Sequence, residues 1–245
     1  MKDLRFAARL ALIVALLLAC VPLHHLWRLA RRPSPWPRRF LGGVARIARA
    51  RARIVGRPLG RNVVFLSNHL SWLDILLVAG ATGSAFISKA ELARVPLVGW
   101  LATLNDTIFV DRADRLGVAA QVARLRAAIA GGRAVTIFPE GTTGDGTALL
   151  PLKAALLAAL DPPPPGVRAQ PVLIDYGDAT RELAWAGGEH GAVHARRVLG
   201  RAGSFTATLR FLEPFDPAGA GGRKGIAAEA RRRMEEARPY PSSRP

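Results

Sequence analysis

Residues 62–77 read NVVFLSNHLSWLDILL, a short apolar run, a polar interruption and a second apolar run. The first run, residues 62–67, is typical of a buried strand, and residues 74–81 are typical of a helix. The polar residues between them include one histidine, His69, and a carboxylate follows at Asp74. A strand that passes directly into a helix is the building unit of layered α/β domains. This stretch therefore predicts the fold class.

The chain after residue 77 repeats the same alternation of strands and helices. Further strands are predicted at 85–88, 107–110, 134–138, 170–176 and 205–211, and helices at 96–104, 117–130, 149–160 and 223–237. Half of the residues are hydrophobic, which supplies a core for one domain. We expect an α/β domain with a mixed sheet flanked by helices, and functional side chains on the loops at strand ends.

The spacing of His69 and Asp74 allows two interpretations. In one continuous helix they would lie about 140° apart, so they meet only if His69 precedes the helix and Asp74 lies in its first turn. Ser71 as N-cap and Asp74 as third helical residue would form an S-x-x-D capping box. In one interpretation Asp74 is only a cap partner. In the other, its carboxylate orients the His69 imidazole as a general base.

Two further strand ends carry polar chemistry. Residues 107–112, TIFVDR, place Arg112 where it can donate two hydrogen bonds to a phosphate, or pair with Asp111 or Asp114. Residues 137–146, IFPEGTTGDG, place Glu140 directly after a strand, among three glycines. Such a loop suits an oxygen-rich ligand, and it is not a Walker P-loop because no Lys-Ser/Thr follows.

Positive charge is concentrated at the N-terminus. The net charge is +17, and residues 1–61 hold fourteen Lys and Arg against one acidic residue. They surround an uncharged run from Leu10 to Trp27, close to the roughly 20 apolar residues of a spanning helix. The alternatives are a signal peptide or a lipoprotein box ending at Cys20, but the arginines from Arg28 to Arg61 resist translocation.

The region after this run predicts a membrane contact and a domain boundary. Residues 40–55 alternate arginine with apolar residues, which indicates a basic amphipathic helix on anionic headgroups or an arginine-rich linker. We expect an anchor with this helix over 1–55, a catalytic domain over 56–237 and a tail over 238–245.

Other classes of site are weakly supported. The single cysteine excludes an internal disulfide and a cysteine-based zinc site. His190 and His194 have the i,i+4 spacing of metal ligands, but we expect a solvated helix there and no metal. Residues 62–245 lack interleaved basic and aromatic residues, so no nucleic-acid partner is expected.

The stretches NHLSWLD, TIFVDR, FPEGT and QPVLI, in this order over roughly residues 62–176, resemble the lysophospholipid and 1-acyl-sn-glycerol-3-phosphate acyltransferases of the PlsC type. The pair H-x4-D and FPEGT is the specific part of this pattern. The resemblance implies the glycerolipid acyltransferase fold and an O-acyltransferase. The alternative from another class is a non-catalytic basic membrane-binding protein.

The resemblance also implies roles for individual residues. His69 would deprotonate the hydroxyl of a lysolipid, and Asp74 would orient His69. The acceptor head group would be held by Arg112, Phe109, Glu140, Gly141 and Thr142, with Lys89 as a further phosphate contact. Pro171 would shape the acyl-donor side.

It further implies the co-substrate and the location of the enzyme. The donor would be acyl-CoA or acyl carrier protein, with no metal and no bound cofactor. The other partners would be the lysolipid acceptor and membrane phospholipids. The catalytic domain would lie on the cytoplasmic side of the inner membrane.

One departure from the family pattern concerns the acceptor. Enzymes acting on 1-acylglycerol-3-phosphate commonly continue FPEGT with Arg, whereas this chain continues with Thr143, Gly144 and Asp145. A carboxylate in place of a guanidinium weakens binding of a phosphate. The stretch FPEGTTGDG is more similar to family members that acylate lyso-ornithine lipid, which is the alternative acceptor. The expected acceptor remains 1-acylglycerol-3-phosphate, because the resemblance implies it as the commonest substrate of the family.

Overall fold

The computed structural model describes residues 1–95, 97–110 and 118–238. Its strands are β1 (Ala50–Val55), β2 (Val63–Ser67), β3 (Ala85–Lys89), β4 (Ile108–Val110), β5 (Val135–Ile137), β6 (Arg168–Asp175) and β7 (Phe205–Phe211). Its α-helices are α1 (Lys2–Leu29), α2 (Trp36–Ile47), α3 (Leu73–Thr82), α4 (Ala90–Ala93), α5 (Val98–Leu104), α6 (Val118–Ala130), α7 (Thr180–Leu183), α8 (Gly191–Gly200) and α9 (Gly222–Glu236). Short 3-10 helices cover Ala154–Leu160, Gly177–Ala179 and Pro217–Ala220.

The strands form one seven-stranded sheet in the order β1-β7-β6-β2-β5-β3-β4. Neighbouring strands are parallel except β6 and β7, which are antiparallel. In the centre, β2 lies between β6 and β5, with Leu66 opposite both Pro171 and Ile137. The predicted mixed sheet flanked by helices is therefore confirmed.

Both faces of the central strand are buried, as its uninterrupted apolar sequence requires. Val63 and Phe65 pack into a core beneath α1, α2, α3 and α8, whereas Val64 and Leu66 pack into a second core beneath α6, α9 and Ala154–Leu160. Helices thus cover both faces of the sheet, and the ends of the central strands remain as the place for a site.

The prediction of one basic helix over residues 40–55 is wrong in its second half. Helix α2 ends at Ile47, and residues 50–55 form the edge strand β1, parallel to β7, with Ala50 opposite Phe205. Alternation of Arg and Ala is compatible with a helix that carries arginines along one face and also with a half-exposed edge strand. Pairing with β7, far away in the sequence, decides between them.

Two predicted helices also differ from the structure. Residues 149–160 contain only the 3-10 helix Ala154–Leu160, and the helix predicted over 74–81 begins one residue earlier, at Leu73. The prolines that follow Leu160 end the first of these, as expected.

The apolar run at the N-terminus lies inside α1, a helix of 28 residues. Within the described ranges, it is the one helix long and apolar enough to cross a membrane, with a mean hydropathy of 2.4 in its best window. Phe6, Ile13 and Leu16 of α1 pack against the domain, while six leucines of the same helix are exposed: Leu4, Leu10, Leu12, Leu18, Leu26 and Leu29. Its length, its composition and these exposed leucines make α1 a candidate membrane anchor.

Candidate active site

The candidate site lies at the carboxyl ends of three adjacent parallel strands. His69 follows β2, Glu140 follows β5, and Tyr176 follows β6. In open α/β sheets the carboxyl ends of the parallel strands are where ligands bind. The sheet therefore gathers residues that are up to 107 positions apart in the chain.

The side chains of His69 and Asp74 are hydrogen-bonded. Nδ1 of His69 lies 2.8 Å from Oδ2 of Asp74. An ionised carboxylate only accepts hydrogen bonds, so Nδ1 carries the proton and donates it, and Nε2 retains its lone pair. No residue in the described part of the chain is hydrogen-bonded to Nε2, and the side chain of His69 is 17% exposed. The ring is thus arranged as a general base that can accept a proton at Nε2.

The carboxylate of Asp74 is fully buried and surrounded by donors. Its Oδ2 also accepts hydrogen bonds from the backbone N–H groups of Leu70 (2.6 Å) and Ser71 (2.9 Å). Its Oδ1 accepts a hydrogen bond from the hydroxyl of Tyr176. Charge-assisted bonds of this kind stabilise a carboxylate that has lost its water.

The predicted capping box is only half formed. The carboxylate half exists, because Asp74 accepts from the backbone N–H of Ser71. However, Trp72 is the N-cap, Asp74 is the second helical residue, and the Ser71 hydroxyl accepts from Leu73 N at 3.3 Å. The two interpretations of Asp74 therefore coexist, since the same oxygen caps the turn and holds the His69 ring.

Glu140 holds the main chain at His69. Its Oε2 accepts a hydrogen bond from the backbone N–H of His69 at 2.9 Å, and its Oε1 accepts one from Leu150 at 3.0 Å. Burial raises the pKa of Glu140, against the two backbone bonds, which favour its charged form. From the other side, Gly144 N–H donates to the carbonyl of His69 at 2.8 Å. The FPEGT loop thus fixes the loop that bears the histidine.

An aromatic side chain fixes the plane of the histidine. The His69 ring stacks on Phe138, with centroids 4.0 Å apart and planes at 16°. Phe138 in turn lies parallel to Phe86, at 5.9 Å and 15°. Together with the bond to Asp74, this stacking leaves the ring one orientation.

The remaining predicted site residues lie in several different elements of the fold. Gly141 has a φ of 73° and Thr142 is exposed, both in the loop after Glu140. Phe109 lies half-buried in β4, and Lys89 ends β3 opposite Val110. Pro171 is buried inside the sheet opposite Leu66. Arg112 lies outside the described residues. The roles expected for these residues remain predictions.

The sequence analysis assigned no role to two residues that support the site, Tyr176 and Asn68. Tyr176 binds Asp74, and the Asn68 side chain bonds the N–H and carbonyl of Ile174, at 2.7 and 2.9 Å. Asn68 had a signal, since it precedes His69 in the motif, whereas Tyr176 had only its position at a strand end.

The solvated environment predicted for His194 is wrong. It is fully buried, its Nδ1 accepts from Trp72 Nε1 at 2.8 Å, and its Nε2 lies 3.1 Å from the carbonyl of Leu183. A donor at one nitrogen and an acceptor at the other fix a neutral imidazole. Burial also lowers the pKa of His194. It therefore ties α8 to the NHLSWLD loop.

A negative charge lies beside the histidine loop. Asp145 is exposed and directly follows Gly144, whose amide bonds His69. Its Oδ1 accepts from the backbone N–H and hydroxyl of Thr147, at 2.9 and 2.7 Å. These bonds lower the pKa of Asp145, with a smaller contribution from Arg181. No group of three His, Cys, Asp or Glu side chains suited to a metal ion occurs among residues 1–95, 97–110 and 118–238.

Comparison with known proteins gives a consistent result. A family model described as Acyltransferase matches residues 46–174. A lyso-ornithine lipid O-acyltransferase of Rhodobacter capsulatus is 34% identical, over 91% of this chain and 86% of that protein. One of Brucella abortus is 32% identical over 95% and 93%. A 1-acyl-sn-glycerol-3-phosphate acyltransferase of Neisseria gonorrhoeae is 34% identical over 51% and 50%.

A solved structure shares the fold. The crystal structure of the 1-acyl-sn-glycerophosphate acyltransferase PlsC from Thermotoga maritima aligns with a TM-score of 0.59 at 24% identity. The alignment covers 82% of this chain and 78% of that one. The sheet and helices that carry the His69–Asp74 pair thus have a counterpart of known structure.

Proposed function

The chain belongs to the PlsC-type acyltransferase family, and on this premise we propose that it transfers a fatty acyl group from an acyl thioester to the free hydroxyl of lyso-ornithine lipid. Acyl transfer to a lysolipid is the activity of the family. The specific acceptor and the roles of the residues are the proposal. The observation that carries it is the His69–Asp74 hydrogen bond, with Nε2 open, at the carboxyl edge of the sheet.

In the proposed reaction His69 is the general base. Nε2 takes the proton of the acceptor hydroxyl while its oxygen attacks the thioester carbonyl carbon. The tetrahedral intermediate then collapses, the carbon–sulfur bond breaks, and the imidazolium returns the proton to the departing thiolate. Asp74 stabilises the imidazolium between these steps, since it holds Nδ1–H throughout.

Two observations support lyso-ornithine lipid as the acceptor. The relatives of Rhodobacter capsulatus and Brucella abortus that carry this name align over 86% and 93% of their own length, whereas the glycerol-phosphate relative of Neisseria gonorrhoeae aligns over 50%. In addition, Asp145 places a carboxylate next to the residue whose amide bonds His69. An ornithine head group carries an ammonium as well as a carboxylate, so its net charge is near zero, whereas a phosphate monoester is strongly negative; the carboxylate of Asp145 therefore disfavours the phosphate more than the ornithine. The second candidate is 1-acylglycerol-3-phosphate, which Asp145 would repel.

The other proposed contacts follow the family resemblance. Arg112, Phe109, Gly141, Thr142 and Lys89 would bind the acceptor head group, and Pro171 would line the acyl-donor side. Glu140 would act through its bonds to the His69 and Leu150 backbone as well as through any contact with the acceptor. The donor would be acyl-CoA or acyl carrier protein, with no bound cofactor.

The proposed location is the cytoplasmic face of the inner membrane. The exposed leucines of α1 would enter the bilayer. The arginines that follow the apolar part of this helix would face anionic headgroups on the cytoplasmic side. Both acyl thioester donors are cytoplasmic, so this side gives the catalytic domain access to them.

The test is a competition between acceptors. Detergent-purified protein would receive acyl-CoA and acyl carrier protein, each loaded with the same labelled fatty acyl group, together with equal amounts of lyso-ornithine lipid and 1-acylglycerol-3-phosphate. We expect labelled ornithine lipid from the wild type and a shift towards phosphatidic acid in Asp145→Arg. Asp216→Arg, at an exposed carboxylate elsewhere on the surface, is the matched control and should leave the product ratio unchanged. Phosphatidic acid as the main wild-type product would reject the proposed acceptor, and no product would reject the activity.

A further inference from the structure

We propose that Tyr176 is a positioning residue for the His69–Asp74 pair, acting by a hydrogen bond from its hydroxyl to Oδ1 of Asp74. This inference rests on the proposed role of His69 as general base. It adds a third residue, from a different strand, to a pair that the sequence motif alone defines.

The two oxygens of Asp74 have different partners. Oδ2 accepts three hydrogen bonds, from the His69 ring and the backbone N–H groups of Leu70 and Ser71. Among the described residues, Oδ1 accepts only from Tyr176. Three donors on one oxygen still allow the carboxylate plane to turn about that oxygen. The bond to Oδ1 removes this freedom and so fixes the direction in which Oδ2 meets Nδ1 of His69.

Tyr176 is itself held in place. It directly follows β6, whose residues pair with β2 up to Val172 opposite Ser67, so the sheet sets the distance between the two loops. The side chain is buried, and its ring packs edge-on against Phe205 at 5.6 Å and 68°. Burial raises the pKa of the Tyr176 hydroxyl well above its usual range, and the Asp74 charge adds to this effect. The hydroxyl therefore keeps its proton at neutral pH and donates it to Asp74.

Loss of this hydroxyl has two consequences for catalysis. The carboxylate turns more freely, so Nε2 points at the acceptor hydroxyl for a smaller fraction of the time. The negative charge of Asp74 is also less compensated, which favours the protonated imidazole. The titratable groups that face the pair in the described structure are Tyr176 and, through the His69 backbone, Glu140.

The experiment compares Tyr176→Phe with Phe211→Leu in the full-length, detergent-purified protein. Tyr176→Phe removes only the hydroxyl, whereas Phe211→Leu removes a buried ring from β7 that packs on Phe65. We expect Tyr176→Phe to lower kcat by about 10- to 100-fold, with little change in the KM of the acceptor. We also expect the acidic limb of its pH profile of kcat/KM to move to higher pH. Phe211→Leu should lower the unfolding temperature yet leave this limb in place.

A second measurement is independent of the substrate. The proton on Nδ1 of His69 gives a downfield NMR signal when it is hydrogen-bonded to a carboxylate, and His69→Ala identifies that signal. We expect the signal to broaden or shift in Tyr176→Phe and to persist in Phe211→Leu. Wild-type kcat together with an unchanged signal in Tyr176→Phe would overturn the inference, as would equal effects of both variants. Inactive wild type would instead reject the proposed function, and the NMR comparison would still decide the role of Tyr176.

Discussion

The carboxylate of Glu140 lies 2.9 Å from the backbone nitrogen of His69, so the FPEGT loop holds the main chain of the NHLSWLD loop. The same carboxylate also accepts from the N–H of Leu150. These bonds give a physical reason for the joint occurrence of two motifs that lie 71 positions apart. One motif supplies the base, and the other fixes the backbone that carries it.

Glu140→Gln should therefore impair stability and catalysis together. The amide group of Gln offers one acceptor oxygen, so one of the two backbone N–H groups loses its partner. We expect a loss of about 1–3 kcal/mol in the free energy of unfolding, together with a lower kcat. Urea unfolding and initial rates measure these effects. Glu91→Gln, at an exposed glutamate, is the control, and equal stability of the two variants would contradict the role of Glu140.

Asp74→Asn should reduce turnover far more than stability. A neutral amide can replace the shape of the carboxylate, but it neither fixes the tautomer of His69 nor stabilises the imidazolium. We expect kcat to fall by about 10³- to 10⁴-fold, as at other buried carboxylate–histidine pairs. Asp216→Asn, which exchanges one good cap residue for another at an exposed turn, should retain wild-type kcat. A loss of less than about 10-fold in Asp74→Asn would argue against a catalytic pair.

Gly80→Ala tests the close crossing of α2 and α3. A Cβ at Gly80 would lie 2.7 Å from the Cα of Gly42, so the two helix backbones would have to separate. We expect a loss of about 1–3 kcal/mol in the free energy of unfolding. Gly60→Ala is the matched control because a Cβ there meets nothing within 4 Å. Equal unfolding curves for both variants would show that the helices do not pack as described.

His194 should make stability depend on pH. Burial, the main cause, lowers its pKa from the ordinary value of 6.5, Arg197 acts in the same direction, and the bond to Leu183 and the charge of Glu189 oppose it. Below pH 6.5 the unfolded chain therefore binds a proton that the folded chain does not. The stabilising contribution of the neutral ring is complete above that pH and is lost as the pH falls below it.

The comparison of His194→Gln with His190→Gln isolates this effect. His190 is exposed, so its variant should keep the wild-type decline in unfolding free energy between pH 7 and pH 5. In His194→Gln the decline should be smaller, because the titrating group is gone. The same slope in both variants would show that His194 is not the group responsible.

Most of the fold could be predicted from local pattern. The apolar run of β2, bounded by polar residues, and the glycines after α6 indicated a strand and a helix end without any tertiary knowledge. The edge strand β1 could not be predicted in this way, because Arg–Ala alternation fits a helix strip as well as a strand. Its conformation depends on β7, which lies about 155 residues later.

Some site residues were likewise indicated by local sequence motifs, whereas others depend on contacts between distant parts of the chain. His69, Asp74 and Glu140 carry local motif signals, and the structure brings them together. Tyr176 carries no such signal, and the i,i+4 spacing of His190 and His194 does not indicate the observed role of His194, because these roles arise from pairing of β6 with β2 and from packing of α8 against Trp72. Asp74 illustrates the limit most clearly, since its capping and His-binding interpretations share one oxygen and only geometry shows both.

The most direct test of the account is the initial rate of acyl transfer to lyso-ornithine lipid by His69→Ala and His190→Ala. Both variants would be purified in detergent and supplied with acyl-CoA and acyl carrier protein that carry a labelled fatty acyl group. We predict that His69→Ala loses at least about 100-fold in rate while its unfolding temperature stays close to that of the wild type. His190→Ala should retain the wild-type rate. Transfer by folded His69→Ala at the wild-type rate would contradict the account, because the reaction would then proceed without the proposed base.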